Sequence, residues 1–332
     1  MPELRQNLAT REWVIIASER ARRPNAFSAS EQRLLTEEHN SYDPDCPFCV
    51  GNEELDLEVE RFPANGAWQT RVVRNKYPAL AKEGALTRVF NGVQRRIAGV
   101  GYHEIVIEHP RHNTTLALMT PDEVQIVLHT FQRRGVEMSK DHRIEHIIYF
   151  KNHGATAGAS LLHPHSQIIA LPVVPSSIRR RIDEARRYFD DTGQCVFCSM
   201  LEDELAQNER IVAVNEHFAA FVLYAALSPF HIWILPRRHN ASFLQAQPDE
   251  IAGLASVLHE VVRKFYYGLR DPDYNLIIRS GPVKEPGSVY FHWYVSLIPR
   301  VNRAAGFELG SGMYINPALP EASADFLRSI KI

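Results

Sequence analysis

One order of landmarks occurs twice in this 332-residue chain, and an internal repeat of that kind reads as two copies of one structural unit. Cys46-Pro47-Phe48-Cys49 is answered by Cys195-Val196-Phe197-Cys198, and Pro110-Arg111-His112-Asn113 by Pro236-Arg237-Arg238-His239-Asn240. In each copy a strand-like run leads into the arginine–histidine–asparagine motif. A helical segment, a strand and a histidine-bearing strand follow. His112 stands 53 residues before His165, and His239 stands 53 residues before His292. Strands often follow one another without a helix between them, so antiparallel α+β modules fit better than parallel βαβ units. The expected division is an N-terminal module over 1–173, a helical connector over 174–194 and a C-terminal module over 195–332.

The hydrophobic fraction of 45% and charged fraction of 23% are those of a soluble globular protein. A formal charge of −2 provides no global field for nucleic acid or an anionic membrane, so any anion site has to be local. With no apolar signal region at the start and no run of 18 apolar residues, the expected location is cytoplasmic. Two C-x-x-C pairs in such a chain read as metal knuckles ahead of disulfides. A thioredoxin-type redox pair is the competing reading. It needs a helix starting inside the pair, whereas Pro44-Asp45 and Gly51-Asn52 around the first pair suggest a turn.

A tetrahedral zinc site takes four nitrogen or sulfur ligands, and each knuckle supplies two. In the first half His112 and His163 are the candidates to complete Cys46 and Cys49. In the second half Cys195, Cys198 and His239 match by position. Repeat spacing puts Tyr290 where His163 sits and His292 where His165 sits; His292 shares a strand face with Tyr290 and is the fourth candidate. His103, His109, His153 and His231 are expected to be capped or solvated side chains.

The chemistry concentrates in Leu161–Pro172. His163, His165 and Gln167 recur at period two, as residues on one face of a strand do. Upstream, Asn152-His153-Gly154-Ala155-Thr156-Ala157-Gly158-Ala159-Ser160 is a small-residue loop that lets backbone N–H groups approach a phosphate. His165 is the candidate nucleophile, because a neutral imidazole can attack an α-phosphorus if its other ring nitrogen is held by an acceptor such as a backbone carbonyl. Gln167 can donate to a phosphoryl oxygen without titrating. Ser160 and the loop N–H groups can share the developing charge. Arg20 and Arg23 read either as a solvated basic turn or as an anion clamp, and Asn75 reads first as a turn residue. The charged segment from Pro175 to about Tyr188 is expected to be a solvated connector helix.

These residues resemble the galactose-1-phosphate uridylyltransferase branch of the histidine-triad superfamily over nearly the whole chain. The carriers are ERARRP at 19–24, CPFC at 46–49, RNKYPAL at 74–80, PRHN at 110–113, NHGATAGAS at 152–160 and HPHSQ at 163–167. In hydrolases of that superfamily a third histidine stands where Gln167 is. The resemblance implies that His165 is nucleotidylated, with Gln167, Asn152, Gly158 and Ser160 on the phosphate side. It implies Arg20 and Arg23 as phosphate-side arginines, Asn75 as a nucleotide contact, and zinc on Cys46, Cys49, His112 and His163. It also implies two histidine-triad-like half-barrels per subunit and a homodimer with active sites near the subunit boundary.

The expected reaction is ping-pong transfer of a nucleoside monophosphate from a nucleotide sugar, through His165, to galactose 1-phosphate. Two departures point instead toward ADP-glucose phosphorylase-like relatives, with inorganic phosphate as acceptor. The second half keeps its C-x-x-C knuckle, and the sugar-phosphate segment survives only as Gly306-Phe307-Glu308, with Asn302 and Arg303 upstream. A zinc-stabilised nucleotide-binding module without turnover is the reading from a different class.

Overall fold

The computed structural model describes residues 1–22, 34–302 and 304–332. The N-terminal half opens with the hairpin β1 (Glu3–Gln6) and β2 (Trp13–Ile16), then gives β3 (Glu58–Phe62), β4 (Thr70–Arg74), the exposed hairpin β5 (Arg88–Asn91) and β6 (Gln94–Ile97), and β7 (Tyr102–Ile107). Helix α1 (Pro121–Ser139) starts where the sequence signals it, with Thr120 accepting from the Glu123 N–H and Pro121 in the first turn. Strands β8 (His146–His153) and β9 (His165–Leu171) follow, with the small-residue loop between them.

Helix α2 (Ser176–Thr192) and α3 (Val196–Gln207) lead into the second half, β10 (Ile211–Val214), β11 (Phe218–Val222), β12 (Ile232–Pro236), α4 (Pro248–Leu269), β13 (Tyr274–Arg279) and β14 (Tyr294–Pro299). The chain closes with α5 (Gly306–Ser311), β15 (Tyr314–Asn316), which runs parallel to β2, and α6 (Pro320–Ser329). Among the described residues no helix is long and apolar enough to cross a membrane.

Ten strands form one antiparallel sheet in the order β10-β11-β12-β14-β13-β8-β9-β7-β4-β3. The two halves of that order mirror each other, β14 taking the place of β9, β13 that of β8 and β12 that of β7. The repeats therefore join edge to edge at β13 and β8, in the register Tyr274↔His153 to Ile278↔Tyr149. Joining them leaves no free edge between the repeats, and the open edges fall at β3 and β10.

Alternation along the strands separates two faces. One carries Val72, Val106, Ile147, Tyr149, Ile168, Leu276, Ile278 and Val295, all buried in the main core beside α1 and α4. Helix α1 comes so close that a Cβ on Gly135 would collide with the Tyr149 hydroxyl. The opposite face carries the His165–Gln167 row.

Two local expectations differ. Helix α2 is not fully solvated: Ile178, Ile182 and Ala185 recur at helical spacing and are buried, and Arg181 lies beside them toward the sheet while the other arginines are exposed. At the second C-x-x-C pair a helix does begin, since Cys195 is the N-cap of α3. That is the geometry the redox reading required, and the histidines beside the pair weigh against it.

Candidate active site and metal centres

Strand β9 begins at His165, which lies opposite Ile107 of β7. The ring is buried, with 6% of its surface exposed, and Phe48 of the first knuckle lies 5.5 Å from it, centroid to centroid. Its Nδ1–H donates to the His163 carbonyl at 2.8 Å, which leaves Nε2 with a free lone pair. Burial pushes the imidazole below the ordinary histidine range; the His163 carbonyl opposes this, Lys151 adds to it and Glu108 opposes it. The ring is thus held neutral and in one tautomer, which nucleophilic attack at phosphorus requires.

Behind the strand, on the core face, Lys151 and Glu108 form an ion pair at 2.7 Å with both side chains almost fully buried. Lys151 also donates to the His165 carbonyl at 3.2 Å, and the Ser166 hydroxyl donates to Glu108. These groups tie β8, β9 and the end of β7 together under the nucleophile candidate. A lysine inside an apolar strand run is the sequence signal that would have marked them.

Gln167 points to the same face as His165, and its Oε1 lies 2.8 Å from His103 Nε2. His103, expected to be a bystander, sits on β7 opposite Ile169, diagonal to Gln167. The Ala79 N–H donates to its Nδ1 at 3.1 Å, and Asn75 Nδ2 lies 3.1 Å from its Nε2. Asn75 does make the turn expected of it, accepting from the Tyr77 N–H at 2.8 Å, and it also reaches this cluster. The cue for His103 was its alternation with Ile105; what the chain alone does not reveal is that β7 pairs with β9.

The loop between β8 and β9 is fixed from the other half of the protein. Gly154 and Gly158 have φ of 81° and 95°, values that favour glycine. Asn275 donates to Asn152 Oδ1 at 2.8 Å and to the Ala157 carbonyl at 2.9 Å, while Arg300 donates to Asn275 at 2.6 Å. Asp273 accepts from both the N–H and the hydroxyl of Thr156. His153 is buried against Asp271 at 2.7 Å, a satisfied structural contact rather than a solvated one. Ser160 is exposed at the loop's end.

Other predicted residues lie apart. Arg20 is exposed near Glu308, whose carboxyl is pulled down mainly by the Ala305 N–H and slightly by Arg20. Phe307 is 46% exposed on α5. Among the described residues no hydrogen bond or ion pair joins these three to the β9 row. Arg23 and Arg303 lie outside the described residues.

Both predicted ligand sets converge. Ligand atoms of Cys46, Cys49, His112 and His163 lie within 4.8 Å of one another, as do those of Cys195, Cys198, His239 and His292. Tetrahedral zinc with ordinary bond lengths separates sulfur from nitrogen by about 3.6 Å. Cys49 Sγ lies 3.4 Å from His112 Nδ1 and 3.6 Å from His163 Nδ1, and Cys198 Sγ lies 3.3 and 3.5 Å from Nδ1 of His239 and His292. His163 Nε2–H donates to the His109 carbonyl at 2.8 Å, turning Nδ1 toward the thiols. Both donor sets fit such an ion, with His292 rather than Tyr290 in the second. The first set is buried throughout, whereas His239 is exposed.

In the second half His292 takes the ligand place of His163, so Tyr294 stands where His165 does, packed 4.2 Å from Trp233 with Phe197 5.5 Å away. Ser296 stands where Gln167 does, its Oγ 3.0 Å from His231 Nε2. An aromatic ring fills the position where the first half keeps its nucleophile candidate.

A neutral buried histidine with a free Nε2, an amide donor beside it and a glycine loop define an enzyme of the nucleotidyltransferase type. The family model described as galactose-1-phosphate uridyl transferase, N-terminal domain, matches residues 1–175, and that of the C-terminal domain matches residues 181–328. The chain belongs to the galactose-1-phosphate uridylyltransferase family.

Among its relatives, an ADP-glucose phosphorylase from Arabidopsis thaliana is 36% identical over 337 residues, covering 100% of this chain and 93% of the relative. A galactose-1-phosphate uridylyltransferase from Thermotoga maritima is 31% identical over 342 residues, covering 100% and 99%. The crystal structure of an Arabidopsis thaliana ADP-glucose phosphorylase with bound ADP-glucose superposes with a TM-score of 0.84 at 32% identity, covering 100% of this chain and 99% of that one.

Proposed function

We propose that this enzyme is a nucleotide-sugar phosphorylase working through a covalent intermediate on His165, with ADP-glucose as donor. His165 Nε2 attacks the α-phosphorus, the bond from that phosphorus to the bridging oxygen breaks, and glucose 1-phosphate leaves. An oxygen of inorganic phosphate then attacks the same phosphorus, displaces Nε2 and carries away AMP as ADP. Gln167 and Asn75 would donate to the phosphoryl oxygens, and Ser160 and the loop N–H groups, with Asn152 and Gly158 shaping the loop, would share the charge.

The observation that carries the reading is the His165 ring, neutral and locked by the His163 carbonyl with Nε2 free. The adenine donor and phosphate acceptor are supported by the Arabidopsis thaliana relative. Zinc at the two Cys/His sets would be structural, fixing the knuckles and the start of β9. Residues 1–173 would form the catalytic module and 195–332 the supporting one, in a homodimer, with Arg20 and Arg23 on the phosphate side and Arg303, Phe307 and Glu308 on the sugar side.

The second reading, uridylyl transfer from UDP-glucose to galactose 1-phosphate, is favoured by the Thermotoga maritima relative. Turnover of ADP-glucose with inorganic phosphate, measured beside turnover of UDP-glucose with galactose 1-phosphate, separates the two. Faster turnover of the UDP-glucose pair would replace the phosphorylase reading with the transferase one.

A further inference from the structure

A recess lies on the His165 face of the sheet but in its other half, under the connector helix α2. Arg279 at the end of β13, Arg181 on α2, His146 at the start of β8, Tyr294 and Phe291 line it, and it is partly open to solvent. Arg279 sits four residues along β13 from Asn275, or about 13 Å from the glycine loop at ordinary strand rise, so the recess is separate from the candidate active site.

Two of its polar atoms lack partners. Arg279 Nε and His146 Nδ1 are buried without a hydrogen bond, and His146 is only 2% exposed. Among the described residues no carboxylate forms an ion pair with either arginine; Glu12 contributes to Arg279 only at longer range. Burial, and to a lesser degree Arg181, pushes the Arg279 guanidinium below its ordinary range, and burial with Arg279 pushes His146 down to about 4. Arg279, Arg181 and His146 converge without an acid, and a buried guanidinium N–H and imidazole nitrogen left unpaired are costly.

We infer that this recess is an anion site for one tetrahedral oxyanion, of the class of inorganic phosphate or sulfate, held between Arg279 and Arg181. Arginine matches such oxyanions bidentately. The recess is too small for a nucleotide sugar. One ligating arginine comes from the connector and the other from the sheet, so the anion pins α2 across the junction of the two repeats.

Under the proposed reaction phosphate also meets the active site, so only the part of its response that changes at Arg279 and Arg181 belongs to the recess. Its test is thermal unfolding of the full chain in sodium phosphate and in sodium chloride of equal ionic strength. Phosphate should raise the midpoint of the wild type. In Arg279→Met the response should need at least ten-fold more phosphate, while stabilisation by ADP-glucose is kept because the nucleotide site lies elsewhere. Arg181→Met, on the half-exposed side of α2, should behave likewise and serves if Arg279→Met does not fold. If both variants respond to phosphate as the wild type does and are more stable in chloride, the two arginines merely repel one another and the inference is overturned. An absent ADP-glucose response in every protein would count against the nucleotide reading alone.

Discussion

His103 Nε2 and Gln167 Oε1 lie 2.8 Å apart, and a backbone amide on the far side of the ring decides the direction of that bond. Because the Ala79 N–H donates to Nδ1, the neutral ring carries its proton on Nε2 and donates to Gln167. The Gln167 amide is thereby turned so that its N–H groups have no partner among the described residues. Asn75 cannot donate to a nitrogen that already holds a proton, so its amide too is available to a ligand.

His103→Ala should leave the fold intact and slow transfer of the nucleoside monophosphate about 10- to 100-fold, since a phosphoryl donor misplaced by an ångström costs on that order. His103→Gln can present an N–H at nearly the same place and should recover much of the loss. Single-turnover rates check this; equal rates in all three proteins would remove His103 from the site.

The buried Lys151–Glu108 pair predicts an asymmetric response. Lys151→Met alone strands the Glu108 carboxylate and should cost about 3–5 kcal/mol in unfolding experiments. Lys151→Met combined with Glu108→Leu should recover most of it. Equal destabilisation by the single and double changes would show that the pair is not a coupled unit.

Acid sensitivity follows from His231. Its ring meets Ser296 Oγ at 3.0 Å, and burial, with Arg279 and Arg181, pushes its pKa down to about 3. The unfolded chain takes up a proton near the ordinary histidine pKa of about 6.5 and the folded chain does not. The stability conferred by the neutral ring is therefore present above that pH and lost as pH falls toward 3. In phosphate-free buffer His231→Gln should reduce the slope of stability against pH by about one proton between pH 6 and 4. An unchanged slope would contradict the assignment.

The two metal sets differ in access, because the first is buried and the second includes exposed His239. A chelator should remove the second ion first, and loss of the first should cost far more stability. Elemental analysis should find about two zinc ions per untreated chain by the ligand count; fewer than one would count against both sites.

Much of this was legible in the residues because it depends on spacing. The repeat foretold the mirrored halves, the cap at Thr120 located α1, and the two C-x-x-C pairs with nearby histidines marked the metal sets, although repeat spacing put Tyr290, not His292, at the fourth position of the second. Strand pairing was not legible. His103 and Gln167 are 64 positions apart and meet because β7 runs beside β9. The ties from Asn275 and Arg300 to the glycine loop exist because the two repeats join at β8 and β13. Buried charge was missed at Lys151 and Arg279, since a charged residue in a strand announces neither its partner nor the lack of one.

The central claim is that His165 carries the nucleotide covalently. Incubation with ADP-glucose or UDP-glucose, followed by intact mass measurement, tests it most directly. The account predicts an AMP adduct from ADP-glucose that is absent in His165→Ala and discharged by inorganic phosphate. No adduct from either donor, or an adduct that persists in His165→Ala, would contradict it.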